Sequence, residues 1–240
     1  MVDLRGLGGT CTLAFNLNEQ GQVVGSSNLT GDERSRAFLW ENGELRDLGG
    51  SLGGKFTGAE SINEAGAAVG FATLPGDAIF HATLWRHVGK LKNLGVLGND
   101  VCSYAIAINS REQVVGSSLE TCGPDTGNVR AFLWERGIMF DLNTVIPKGS
   151  PLNLQFVETI NDRGEIAGTG MDSGGNTLAF LLVPCEANSP DECKEEFGDV
   201  DKTAQQSPPS LTQQSRIAGR RSVRRILQPR LGPGPHILTP

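Results

Sequence analysis

The chain of 240 residues has no run of some 18 apolar residues, which excludes a helical membrane span. It opens MVDLRGLGGT, without the basic start and apolar core of a secretory signal, so the residues alone point to the cytosol. No Cys-x-x-Cys occurs, and the three histidines, His81, His87 and His236, form no ligand cluster, so neither a zinc site nor another metal site is expected. There is no Gly-x-Ser-x-Gly elbow and no His-Glu-x-x-His, which removes the common signatures of serine hydrolases and zinc proteases. A hydrolytic triad would need a histidine, but His81 falls in a core strand, His87 in a turn and His236 in the tail. No stretch has helical periodicity of useful length.

Positive charge is scarce over most of the chain. Residues 1–201 hold 14 basic against 27 acidic side chains, whereas residues 202–240 hold 7 basic and no acidic ones. An acidic body does not draw nucleic acid by counterion release, so no nucleic-acid partner is expected. The last segment is rich in Pro, Ser, Gln and Arg and is expected to be a solvated basic tail. The chain therefore divides into 1–186, a repeat domain; 187–201, a cysteine-containing extension; and 202–240, the low-complexity tail.

What the sequence does have is a phrase that recurs four times. It reads NEQGQVVG (Asn18 to Gly25), NEAGAAVG (Asn63 to Gly70), NSREQVVG (Asn109 to Gly116) and NDRGEIAG (Asn161 to Gly168). After a variable loop come AFLW, ATLW, AFLW and AFLL, starting at Ala37, Ala82, Ala131 and Ala179. A period of this length signals a repeat architecture. Each unit reads as a meander of short strands A to D. Strand A ends in the repeat Asn, a turn leads to the apolar strand B, and AFLW is strand C. All four side chains of AFLW are apolar, so both faces of that strand need burial, as in sheets stacked on one another. Trp40, Trp85 and Trp134 would wedge between sheets.

Strand D follows at Leu45–Leu48, Leu91–Leu94 and Met139–Leu142, but not in the last unit. Val2 to Gly9, VDLRGLGG, is similar to Glu44 to Gly50, ELRDLGG. The expected fold is thus all-β and propeller-like, with four blades of four antiparallel strands, the N-terminal strand completing the last blade and closing the ring. A longer chain with further blades upstream would give the same phasing; a β-trefoil would need three units.

Most chemical motifs are near misses. Gly49 to Lys55, GGSLGGK, has much of a phosphate-cradling loop, but Phe56 stands where Ser or Thr should be and a strand follows. It is better read as a blade-to-blade connection. The repeat asparagines Asn18, Asn63, Asn109 and Asn161 precede turns, and a turn-stabilising role is expected of them. The loops GDAIF and DSGGN lack the acid spacing of a calcium site. Asn28-Leu29-Thr30 is a glycosylation sequon in form only.

Taken together, the units resemble the HAF repeat of probable extracellular bacterial repeat proteins, named for a His-Ala-Phe run before Leu-Trp. Here the triplet reads Arg36-Ala37-Phe38, His81-Ala82-Thr83, Arg130-Ala131-Phe132 and Leu178-Ala179-Phe180. Asp47-Leu48-Gly49 with Leu52-Gly53-Gly54 is similar to another element of that repeat, and Asp141 to Gly168 looks like its final unit. The resemblance covers residues 2–200. It implies a propeller-like fold, an extracellular or cell-surface location and no assigned activity; its members usually carry an export signal, which this chain does not show.

Five cysteines leave at least one unpaired or bonded outside the chain. Cys102 and Cys122 lie a hairpin apart, and Cys185 and Cys193 flank one loop, so either pair could bridge; in a reducing compartment all five would be thiols. The resemblance to exported proteins implies the two bridges, with Cys11 left over. The expected function is a non-enzymatic binding or interaction module, monomeric and without cofactor, for an unidentified protein or glycan. The alternative is a hydrolase or lyase for a polysaccharide or other extracellular substrate, with acids and Asn from strand A converging near the axis.

Overall fold

The computed structural model describes residues 1–123 and 127–185. The sequence-based boundaries at 187–201 and 202–240 lie outside the described residues. The described chain is all-β, in four antiparallel sheets. The first is β1 (Gly8–Leu17), β2 (Val23–Leu29), β3 (Ser35–Glu41) and β4 (Glu44–Asp47). The second is β5 (Thr57–Ile62), β6 (Ala68–Thr73), β7 (Phe80–Trp85) and β8 (Leu91–Gly95). The third is β9 (Cys102–Ile108), β10 (Val114–Leu119), β11 (Val129–Glu135) and β12 (Ile138–Asp141), followed by a 3-10 turn at Leu142–Thr144. The fourth has three strands, β13 (Leu152–Ile160), β14 (Ile166–Asp172) and β15 (Thr177–Leu182). Each sheet is one sequence repeat, in simple meander order.

Every A strand carries a bulge at one position. Ala14 pairs with Gly25 but Asn16 with Val24, so Phe15 is the extra residue of β1. Glu60, Ile106 and Glu158 are the extra residues of β5, β9 and β13. The glycine that closes each repeat phrase faces this bulge. A Cβ on Gly25, Gly70, Gly116 or Gly168 would lie 1.9–2.2 Å from a carbonyl oxygen of the A strand. The phrase ends in Gly because backbone occupies the space a side chain would need.

The sheets pack in chain order. β5 lies on β2 and β3, β9 on β6 and β7, and β13 on β10 and β11. The first joint buries Val24, Ala37 and Leu48 against Ala59, Ile62 and Trp85. The second sets Val69, Ala82 and Leu84 against Ala105, Ile108 and Trp134. The third sets Val115 and Ala131 against Val157, Ile160 and Ile166. The apolar run of strand C thus has sheet on both sides, as its composition requires. Trp85 and Trp134 are 0% and 2% exposed, and the Trp85 indole N–H donates to the Gly49 carbonyl at 2.9 Å. Trp40, in the first of the described sheets, is only half-buried.

The ring closure expected of the N-terminal segment is not formed. Met1–Leu7 makes no strand; the Leu7 N–H donates instead to Ser27 Oγ of the first sheet at 2.9 Å. Positive φ at Arg5 (63°) and Gly8 (102°) turns the segment onto β1 and β2, so the fourth sheet lacks a fourth strand among the described residues.

Candidate functional site

The repeat asparagines hold their turns, as expected. Asn63 Oδ1 accepts the N–H groups of Ala65 and Ala67, and Asn109 Oδ1 those of Arg111 and Gln113. They do something further that turn chemistry alone does not foretell. Asn18 Nδ2 donates to the Asn63 carbonyl, Asn63 Nδ2 to that of Asn109, and Asn109 Nδ2 to that of Asn161, each at 3.0 Å. The turns of successive sheets are therefore stitched into one ladder, and the ladder's role is structural.

The variable first residue of the His-Ala-Phe triplet is also structural. Arg36 donates to the Lys55 carbonyl at 3.0 Å, and His81 Nδ1 is 3.0 Å from Asn93 Nδ2. Arg130 reaches the Leu97 carbonyl at 2.8 Å and pairs with Asp100 and Asp141 at 2.8 and 3.4 Å. These bonds, to Asp100 above all, hold its guanidinium more firmly protonated than usual. Arg36 and Arg130 thus tie strand C to a connection between sheets, and His81 ties it to strand D of its own sheet. The Gly49–Lys55 loop is such a connection, from β4 to β5; a Cβ on Gly54 would lie 2.1 Å from Thr73 Oγ1. Asn28 of the sequon is 2% exposed and donates to Asp32, so its amide is not accessible.

Chemistry concentrates on the A strands, at residues the motifs did not single out. Glu60 sits in the bulge of β5, half-buried, and burial pushes its carboxyl up to about 7. Tyr104 of β9 is 3% exposed, and burial raises its hydroxyl to about 12 against a hydrogen bond with Ser117. The charges of Glu158, from the bulge of β13, and of Glu60 add to that rise, so both carboxylates lie near the same phenol. The signal was in the repeat alignment: the bulge position is Phe15, Glu60, Ile106 and Glu158, two acids where two repeats place apolar side chains.

A separate cleft of about 610 Å³ opens beside the fourth sheet. The segment from the 3-10 turn to Pro151 forms one wall, and Asn153, Met171 and Asp172 form the other. Asn143 is clamped by a reciprocal pair: its Nδ2 donates to the Leu154 carbonyl and its Oδ1 accepts the Leu154 N–H, at 2.9 and 2.7 Å. Asp172 Oδ1 accepts the N–H groups of Gly174 and Asn176, which with the Asn176 side chain hold its carboxyl below the usual range. The Lys148, Ser150 and Asn153 side chains are exposed on this open, mixed polar and apolar surface.

Cys102 and Cys122 form a disulfide, with Cα atoms 5.5 Å apart, and Cys11 is a free thiol. The second expected pair falls on Cys193, which lies outside the described residues; so does His236. Among the described residues no group of three His, Cys, Asp or Glu side chains could hold a metal ion, and no helix is long and apolar enough to cross a membrane. The chain matches no protein family, and no curated protein gives a significant match to its sequence.

Proposed function

We propose that the chain is a non-enzymatic binding module, an extracellular protein of the HAF-repeat type whose stacked sheets are blades of a propeller-like arrangement. Its ligand is a polar polymer, a glycan or an extended peptide, and the binding surface is the cleft of the fourth sheet. The observation that carries this reading is the make-up of that cleft. It is shallow and open, its amides and hydroxyls stand beside Ile146, Leu152 and Met171, and its walls are fixed by the Asn143 clamp and two prolines. Such a surface offers alternating polar and apolar contacts on a rigid frame, without enclosing a small molecule. The Cys102–Cys122 disulfide is consistent with an oxidising compartment.

One observation favours a hydrolase instead. Glu60, protonatable near neutrality, and Glu158 both act electrostatically on the Tyr104 phenol, and a carboxyl raised toward neutrality by burial suits acid–base chemistry. Screening the full chain against glycan and peptide arrays tests both readings. Removing two polar contacts by Lys148→Ala with Asn153→Ala should weaken a captured ligand roughly tenfold or more. Binding that ignores this pair of changes overturns the cleft assignment. Cleavage of a bound polysaccharide that Glu60→Gln abolishes would establish the enzyme.

A further inference from the structure

The three joints between sheets are built alike, and the stack ends in two unused halves of that same joint. On the receiving side, the residue before each repeat Asn is buried where a sheet precedes it: Ile62, Ile108 and Ile160 are 5%, 6% and 7% exposed. Its counterpart in the first sheet, Leu17, is 67% exposed. On the giving side, Ala37, Ala82 and Ala131 are at most 1% exposed, whereas Ala179 is open and Leu181 is 58% exposed.

The polar ladder is open at the same two places. Asn161 is exposed, and among the described residues its Nδ2 bonds Glu165 alone, whereas Asn18 and Asn109 bond the corresponding Gln22 and Gln113 and also the next sheet. At the other end, among the described residues the Asn18 carbonyl accepts the Gly21 N–H alone, while those of Asn63, Asn109 and Asn161 each accept an asparagine amide as well. The next position repeats the pattern. Glu64 accepts the Glu19 N–H and Asp162 the Ser110 N–H across two joints, and Glu19 supplies an acid at that position of the first repeat.

The N-terminal segment identifies what fits there. Asp3 Oδ1 accepts the Arg5 N–H at 2.9 Å, with φ 63° at Arg5. Asp47 and Gly49 make the same turn (2.7 Å, φ 69°), as do Asn93 and Gly95 (2.8 Å, φ 83°). In the repeats this turn ends the fourth strand of one sheet and leads into the next. Leu7 on Ser27 Oγ likewise repeats Leu97 on Ser118 Oγ. Asp3–Arg5 therefore repeats the turn that follows a fourth strand, and the fourth sheet is the one without such a strand among the described residues. Among the described residues the packed pairs run from the first sheet to the fourth, with no comparable packing of the fourth on the first.

We infer that the open face of the fourth sheet receives the first sheet of a second copy of this chain, head to tail, with that copy's N-terminal segment pairing along β15. In the register of β3 with β4, Asp3 would stand opposite Phe180 and Val2 opposite Leu181. The contact is heterologous, so copies close into a ring or extend as a chain. The monomer expected from a ring closed within one chain is replaced by an assembly.

Sedimentation of the full chain over a concentration series, with Leu17→Asp and Leu181→Asp, tests this. The native chain should associate, each variant alone should be monomeric, and their mixture should give a one-to-one dimer, because each retains the face the other lacks. A monomeric native chain overturns the inference. So does one variant that still self-associates while the other does not, the mark of like faces pairing. Both positions are exposed, and circular dichroism of each variant checks its fold. A second readout uses chains carrying Val2→Cys or Leu181→Cys. Oxidation of the mixture should yield a cross-linked pair beyond what either gives alone, and none would overturn the pairing.

Discussion

At the scale of single residues, the least comfortable group is Glu60. The bulge of β5 turns it away from water, and no hydrogen bond from the described residues stabilises its ionised form. Its carboxyl titrates near 7 in the folded chain against an ordinary value of 4.5. The folded state therefore holds the proton more tightly than the unfolded one. Stability is full below about 4.5 and falls as pH rises toward 7, where the ionised group is the burden. Glu60→Gln should remove this slope and leave the variant more stable at pH 8 by on the order of 2 kcal/mol. Urea titrations from pH 4 to pH 8 check it; parallel curves for the two proteins would show that the carboxyl is not desolvated.

At the scale of the element, the A–B hairpin explains why the repeat phrase has its spelling. The Asn sets the turn, the apolar pair fills the joints on either side, and the Gly yields to the bulge. The turn tolerates change more than the bulge does. Gly21, Gly66 and Gly164 take positive φ in the turn, yet Glu112 fills that position in the third repeat at 57° and pairs with Arg86 at 2.7 Å. The bulge glycine has no such latitude, since a Cβ on Gly116 would meet the Tyr104 carbonyl at 2.0 Å. Gly116→Ala is expected to cost about 3 kcal/mol or more by forcing β9 and β10 apart. A denaturant midpoint within error of the native chain would mean that the bulge relaxes freely.

At the scale of the whole molecule, the sheets are coupled only to their neighbours, as in other repeat stacks. The asparagine ladder is the polar part of that coupling. The Asn63 side chain is buried and serves both its own turn and the third sheet, whereas the Asn161 side chain, among the described residues, serves its own turn alone. Asn63→Ala should therefore cost roughly 2–4 kcal/mol and Asn161→Ala about 1 kcal/mol, the excess measuring the bond between sheets together with the buried acceptor left behind. Equal losses in thermal unfolding would confine the asparagines to their turns. The Cys102–Cys122 disulfide acts within one sheet, tying the start of β9 to the loop after β10.

The sequence by itself determined the repeat, the strand order, the turn role of the asparagines and the glycine-rich connections between sheets. These rest on local chemistry: alternation, turn residues, and the need to bury an apolar strand on both faces. The Cys102–Cys122 pairing was also within reach, because a hairpin brings its two ends together. The ladder from Asn18 to Asn161, the bulge beneath each repeat glycine and the meeting of Glu60, Tyr104 and Glu158 were decided only by tertiary structure. The ladder and the grouping of the three side chains depend on how one sheet is set against the next, and the bulge on the register between strands A and B, neither of which hydrophobic periodicity records. The same reason separates the two outcomes at the N-terminus. Val2 to Gly9 was expected to form a fourth strand from its likeness to Glu44 to Gly50, but Met1–Leu7 makes no strand and rests against the first sheet, an outcome set by packing that the likeness does not record.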